Sequence, residues 1–253
     1  SKARAAMAAV VASGKSVLAG DKLAELDEAI ALAGGVSVEA QADRPAVTPG
    51  GSFKVTLTAL ARNPGEVTLR GVKLSGIAGV AQPTIASTVL VYNKPVEFPV
   101  NIKVPEAQPY SQPYWLELPK DKSMYSVARQ ELVGDPESPA VLSAEFRLQV
   151  GGTEITLKRA VERRYVDKVY GELTRPLAIV PPVSVEFGGE ALVFPDNQVR
   201  QVEIPVKSTT GKALGEIHLE VPAGWKVEPA LQRFDLAGAD EQTMAEFTLS
   251  PPA

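Results

Sequence analysis

The chain has 253 residues, 45% hydrophobic and 22% charged, with 21 Pro, 20 Gly, a single His, no Cys and a formal charge of -4. Without cysteine there is no thiol nucleophile, no Cys-ligated zinc or iron–sulfur cluster and no disulfide framework, and His218 alone cannot supply a multi-histidine metal site. The acidic balance argues against a nucleic-acid partner, which needs clustered Lys and Arg, and no run reaches the roughly 18 apolar residues of a membrane span.

At about 150 residues per domain, the length allows one large or two smaller domains with real cores. The chain opens Ser1-Lys2-Ala3-Arg4 without an initiator Met and stops at Pro251-Pro252-Ala253 directly after a strand-like run, so it reads as a piece of a longer protein. Residues 2–33 read as helix. Ala3, Met7, Val10 and Val11 fall at helical spacing, Ser13-Gly14 is a stop signal, and Leu23, Leu26 and Ile30 share one face after Asp21, a residue of N-cap type. Gly34-Gly35 ends the segment, giving an expected helical linker over residues 1–35.

From Val36 the hydrophobic period changes from 3.6 to 2. Val36-Ser37-Val38, Phe53 to Thr58, Val67 to Leu69 and Val96 to Val104 alternate, separated by turn signals such as Thr48-Pro49-Gly50-Gly51, Asn63-Pro64-Gly65 and Asn93-Lys94-Pro95. Gln108-Pro109-Tyr110-Ser111-Gln112-Pro113-Tyr114-Trp115-Leu116 then concentrates three aromatics, and Gly134 to Pro139 reads as a loop. Two long alternating runs, Val141 to Val150 and Thr153 to Val166, flank a Gly151-Gly152 hairpin signal. Short strands without intervening helical pattern predict a β-sandwich over residues 36–175.

Arg175-Pro176-Leu177 to Pro181-Pro182 reads as a stiff connector. Beyond it, Val183-Ser184-Val185-Glu186 repeats Val36-Ser37-Val38-Glu39, with a proline turn at Pro195-Asp196 and an alternating run from Val199 to Val206. A second sandwich is expected over residues 176–253. Charge divides there too: residues 176–253 carry 5 Lys and Arg against 11 Asp and Glu. Expected core residues are Val38, Phe53, Val55, Leu57, Phe98, Val100, Ile102, Val185, Ile204, Val206, Trp225, Phe234, Phe247 and Leu249.

Few side chains suggest chemistry. His218 lies between Ile217 and Leu219, on one strand face with Glu216 and Glu220, either of which could orient it as a general base; a solvated strand histidine is the plainer reading. No Gly-x-Ser-x-Gly elbow accompanies it. Asp240-Glu241 reads as a polar hairpin loop, and Lys158-Arg159, Arg163-Arg164 and Lys168 as the wet side of a long hairpin or a face for an acidic partner or polysaccharide. Tyr110, Tyr114 and Trp115 either form a sugar-stacking platform, since aromatic faces offer flat apolar area to a pyranose ring, or pack into the sandwich.

Pro181 to Glu186, Val221-Pro222-Ala223-Gly224-Trp225-Lys226-Val227, Phe234-Asp235-Leu236 and Phe247 to Pro252 together resemble the small Ig-like sandwich called the NEW3 domain. Gln112 to Leu116, Tyr165-Val166-Asp167 and Gly171 to Leu177 are similar to the C-terminal region of large bacterial PIG-L (LmbE-like) deacetylases. The resemblance implies a mainly β chain, two Ig-like β-sandwich domains in tandem after a short helical segment, acting as the non-catalytic accessory region of a zinc-dependent N-acetyl-sugar deacetylase. In that family an N-terminal catalytic domain holds zinc through a His-Pro-Asp-Asp motif, which is absent from this sequence, so no catalytic residue, metal or cofactor carries over. The implied partners are that catalytic domain and carbohydrate, in the periplasm or outside the cell. The alternatives are a carbohydrate-binding or envelope-adhesion module using Tyr110, Tyr114 and Trp115, and a free-standing hydrolase built on His218.

Overall fold

The computed structural model describes residues 2–14, 16, 18–188, 191–194 and 198–252; the turn expected at Pro195-Asp196 lies outside the described residues. The chain is mainly β and divides into two units, Ser1–Ile179 and Val180–Ala253.

The first unit begins with two helices, divided at the Ser13-Gly14 stop signal. Helix α1 (Lys2–Ala12) stops where Gly14 takes φ +64° and the Ser13 hydroxyl donates to the Val10 carbonyl at 2.7 Å. Helix α2 (Ala19–Ala33) is preceded by Leu18, which offers no side-chain cap. Asp21 therefore sits inside the first turn, where its carboxylate meets the positive end of the helix dipole instead of capping it. At the other end Gly35 takes φ +66°, and a Cβ there would lie 2.6 Å from Asn63 Cγ. The segment expected as a linker is packed into this unit: Ala31 belongs to its core and Asp27 is buried.

Strands β1 (Val36–Ala42), β2 (Ala46–Val47), β3 (Ser52–Ala61), β4 (Val67–Ser75), β5 (Thr88–Val89), β6 (Val96–Lys103), β7 (Ser143–Val150), β8 (Thr153–Ala160), β9 (Glu162–Asp167), β10 (Gly171–Pro176) and β11 (Ala178–Ile179) complete it. They form a five-stranded sheet in the order β10-β9-β1-β3-β6, a four-stranded sheet in the order β5-β4-β7-β8, and a parallel pair of β2 with β11. Alternation sends every second side chain into one shared core: Val38 and Ala40 from β1, Val55 and Leu57 from β3, Leu69 and Leu74 from β4, Phe146 and Leu148 from β7, Ile155 and Leu157 from β8. Each fully buried Leu, Ile or Phe contributes roughly 1.5–3 kcal/mol relative to exposure. Phe98 and Val100 are only half-buried, because β6 is the last strand of its sheet.

The hairpin signal is met directly. Gly151 and Gly152 take φ +51° and +77°, the two positive values that a two-residue turn matching strand twist requires. The run Thr153 to Val166, in contrast, is two strands in two sheets. At Val161, buried and donating its N–H to the Leu142 carbonyl at 2.8 Å, the chain leaves β8 in one sheet and enters β9 in the other. Alternation cannot signal this, since a residue buried between sheets looks like a residue buried under one.

The second unit holds β12 (Val183–Val185), β13 (Arg200–Ser208), β14 (Ala213–Ile217), β15 (Lys226–Glu228), β16 (Gln232–Leu236) and β17 (Gln242–Ser250). A four-stranded antiparallel sheet, β12-β13-β17-β15, shares its core with the β14-β16 pair through Ile204, Val206, Leu236, Phe247 and Leu249. Trp225 is half-buried, its ring 4.7 Å edge-to-face from Phe194, and Phe234 is likewise half-buried against the core. Val185 departs from the expected core, being 51% exposed. The sequence echo of Val36-Ser37-Val38 marks the difference: β1 is a seven-residue strand whose alternate side chains enter the deep core of the first unit, whereas β12 is a three-residue edge strand paired only with β13.

Candidate functional site

The aromatic segment is fastened at several points. Ser111 donates its N–H to the Ile179 carbonyl and accepts the Ile179 N–H on its hydroxyl, both at 2.8 Å, tying the loop to β11. The Ser138 hydroxyl donates to the Gln112 carbonyl at 3.0 Å, and Arg129 pairs with Glu117 at 3.0 Å. Pro113, extended at φ -57° and ψ 135°, delivers the chain into a single 3-10 turn, Tyr114–Leu116.

The three aromatics have three different environments. Tyr114 is 7% exposed and its hydroxyl donates to the Asp135 carbonyl at 3.0 Å. It therefore offers no face to a ligand and acts as a packing residue. Trp115 stands edge-on against it, the ring centroids 4.9 Å apart at 86°, and remains half-buried. Tyr110 is 51% exposed. Consecutive side chains of a tight turn diverge, so the flat three-ring platform is not formed.

What forms instead is a pair of grooves. One, about 310 Å³, has Trp115 on its wall with Gln112 and Glu137; the other, about 560 Å³, has Tyr110 with Gln108, Glu117 and Arg129. Ser111, Gln112 and Ser138 to Val141 line both, so they form a common wall with one aromatic on each side. Flat apolar rings beside amide, hydroxyl and charged groups are the composition that holds a polar ring compound.

The remaining sequence candidates are less organised. The His218 side chain is 62% exposed, and its Nε2 lies 3.8 Å from Glu220 Oε1. Glu216 instead pairs with Arg233 at 3.1 Å, since β14 ends at Ile217 and the face shared by Glu216 and His218 is not continued. Among the described residues no group of three or more His, Cys, Asp or Glu is placed to hold a metal ion. Asp240 and Glu241 do form the loop between β16 and β17: Asp240 pairs with Lys207 at 2.7 Å, and Glu241 accepts the N–H groups of Ala237 and Gly238. Lys207 holds the Asp240 carboxyl below its usual range.

The basic stretch is split by the strand change at Val161. Arg159 bonds Glu28 at 2.8 Å, and Arg164 bonds Glu39 at 3.1 Å, which raises the guanidinium pKa above its ordinary value. These pairs bound a third cleft of about 570 Å³ alongside β1, with Arg62 and Glu162 also on its wall. Sequence alternation marks β1 as a strand but carries no information about what lies beside it.

No protein-family model matches the chain, and no curated protein matches it. Among solved structures it is similar to the crystal structure of a protein of unknown function from Porphyromonas gingivalis W83, with 12% sequence identity, 86% of this chain and 84% of that chain covered, and a TM-score of 0.29.

Proposed function

We propose that the chain is a non-catalytic accessory module that binds carbohydrate through Trp115 and Tyr110. It positions or targets the catalytic domain of a bacterial zinc-dependent N-acetyl-sugar deacetylase, in the periplasm or outside the cell. In this reading each unit is an Ig-like β-sandwich, the second of NEW3 type. Support for the sandwich comes from two sheets, antiparallel except where β9 meets β1, closing on one core within the first unit, and from the Trp225 corner beside Phe194 in the second. The link to a deacetylase rests on the sequence resemblance.

The observation that carries the binding function is the pair of grooves sharing one wall, each with its own aromatic and polar groups. Their volumes fall in the range of small-ligand sites, roughly 300–1,000 Å³. A ring stacked on each aromatic places successive sugar units on either side of the Ser111-Gln112 wall, where Gln112, Glu137 and Arg129 can meet their hydroxyls.

The test is a glycan array that includes N-acetylated and deacetylated amino sugars, followed by Trp115→Ala and Tyr110→Ala. Saturable binding to one sugar class, lost in both variants with the fold retained, is the expected result. A folded chain that binds no glycan overturns the carbohydrate role.

A further inference from the structure

The cleft beside β1 has an unusual wall: the backbone of the strand itself. The β1–β3 ladder fixes which groups face which way. Arg62 donates its N–H to the Gly35 carbonyl at 2.7 Å, and Asp43 donates to the Lys54 carbonyl at 2.9 Å. With the register Ser37↔Leu60, Glu39↔Thr58 and Gln41↔Thr56, the odd-numbered residues direct both backbone groups at β3. Val36 and Val38 therefore turn their N–H and C=O groups to the opposite side, while their side chains remain in the core.

On that opposite side β1 is nearly unpartnered. Strand β9 joins it only at Gln41↔Glu162, leaving the half from Val36 onward without a neighbouring strand. The 570 Å³ cleft lies there, between α2 residues Glu28 and Leu32 and the chain around Ala160 and Glu162. One edge group has a substitute partner: Arg159 Nε donates to the Val38 carbonyl at 3.3 Å, standing where an incoming strand's N–H would be. Sheet edges in monomers are commonly guarded by such charged side chains.

We propose that this cleft binds an extended peptide segment, which adds to the five-stranded sheet as a strand beside β1. A run of outward backbone donors and acceptors on a strand edge is complementary to another extended backbone above all. Charge narrows the partner. Glu28 and Glu39 are paired with Arg159 and Arg164, while Arg62 at the Gly35 end and Glu162 at the Gln41 end make no ion pair among the described residues. The matching peptide carries an acidic side chain at the Arg62 end and a basic one at the Glu162 end. The proposal is independent of the glycan grooves.

The probe is a displayed library of random heptapeptides selected on the full chain, with the winning sequence made synthetically. The expected peptide is acidic at one end, basic at the other, and slows amide exchange at Val36 and Val38 by at least about tenfold, a retardation that reports formation of hydrogen-bonded backbone structure. N-methylation at alternate peptide positions abolishes binding. Val38→Pro removes an outward N–H without touching the β3 ladder and is expected to lose binding. Arg62→Ala, on the exposed surface, weakens binding whether or not the proline variant folds. Failure to select any peptide, protection of Val36 and Val38 in the free chain, or affinity indifferent to N-methylation each overturns the proposal. Protection that disappears on dilution assigns the edge to a second copy of this chain and overturns it too.

Discussion

Arg4 of α1 forks onto Asp27 of α2, with Nε 2.5 Å from Oδ1 and Nη2 3.0 Å from Oδ2. Asp27 is 3% exposed, and its Oδ2 also accepts the N–H of Thr156, a backbone donor on the outer side of β8. One carboxylate thus joins two helices to the end strand of the four-stranded sheet and satisfies an edge group that would otherwise be orphaned.

Removing one partner of this pair leaves a buried charge or an unmet donor. Arg4→Ala, which strands the carboxylate, is expected to destabilise the first unit by about 3 kcal/mol. Urea unfolding of the variant measures this, and amide exchange in α1 reports the release of the helix. Arg4→Met combined with Asp27→Leu leaves no buried charge, only the unmet Thr156 N–H at a cost of about 1–3 kcal/mol, and so should cost no more than Arg4→Ala alone.

Tyr114 separates packing from binding within the aromatic loop. Tyr114→Phe keeps the ring and loses only the bond to the Asp135 carbonyl, an expected cost of about 1 kcal/mol with glycan binding retained. Tyr114→Ala removes the ring against which Trp115 stands, with an expected loss of about 3–5 kcal/mol for a buried aromatic. Thermal unfolding beside a binding assay distinguishes the two.

Gly35 occupies a position that L-residues resist. Gly35→Ala must adopt φ +66° and displace Asn63, so it is expected to cost about 1 kcal/mol or more. Gly65→Ala, with nothing within 4 Å of the added methyl, should be close to neutral. Their denaturation midpoints provide the comparison.

The tip of the β9–β10 hairpin is expected to respond to acid through Asp167. The N–H groups of Tyr170 and Val169 hold the Asp167 carboxyl below its ordinary 3.8. A depressed folded pKa means the turn's stabilisation is present above 3.8 and lost as pH falls through the lower folded value. Amide shifts of Val169 and Tyr170 should therefore titrate only below about pH 3.8, and Asp167→Ala should abolish that titration. A transition centred above pH 3.8 would contradict the assignment.

Much of the β architecture is legible in the sequence because alternation and turn chemistry are local. The Gly151-Gly152 hairpin and the strands around Val55, Phe146 and Ile204 follow from residues that touch their neighbours in the chain. What is not legible depends on distant partners. The Arg4–Asp27 pair joins residues 23 apart, the turn at Val161 answers to Leu142, and the open edge of β1 exists only because β9 meets it at one point. At the aromatic loop the composition was readable, while the distribution of Tyr110, Tyr114 and Trp115 among grooves and interior is set by anchors at Asp135 and Ile179.

The most direct measurement is an NMR titration of the folded chain with the amino sugars of the glycan array, following the Trp115 indole and the Tyr110 ring together with the Trp225 indole. Saturable shifts at Trp115 and Tyr110 with one sugar class, and none at Trp225, are expected. Shifts absent from both groove aromatics at millimolar sugar, or confined to Trp225, would contradict the carbohydrate role.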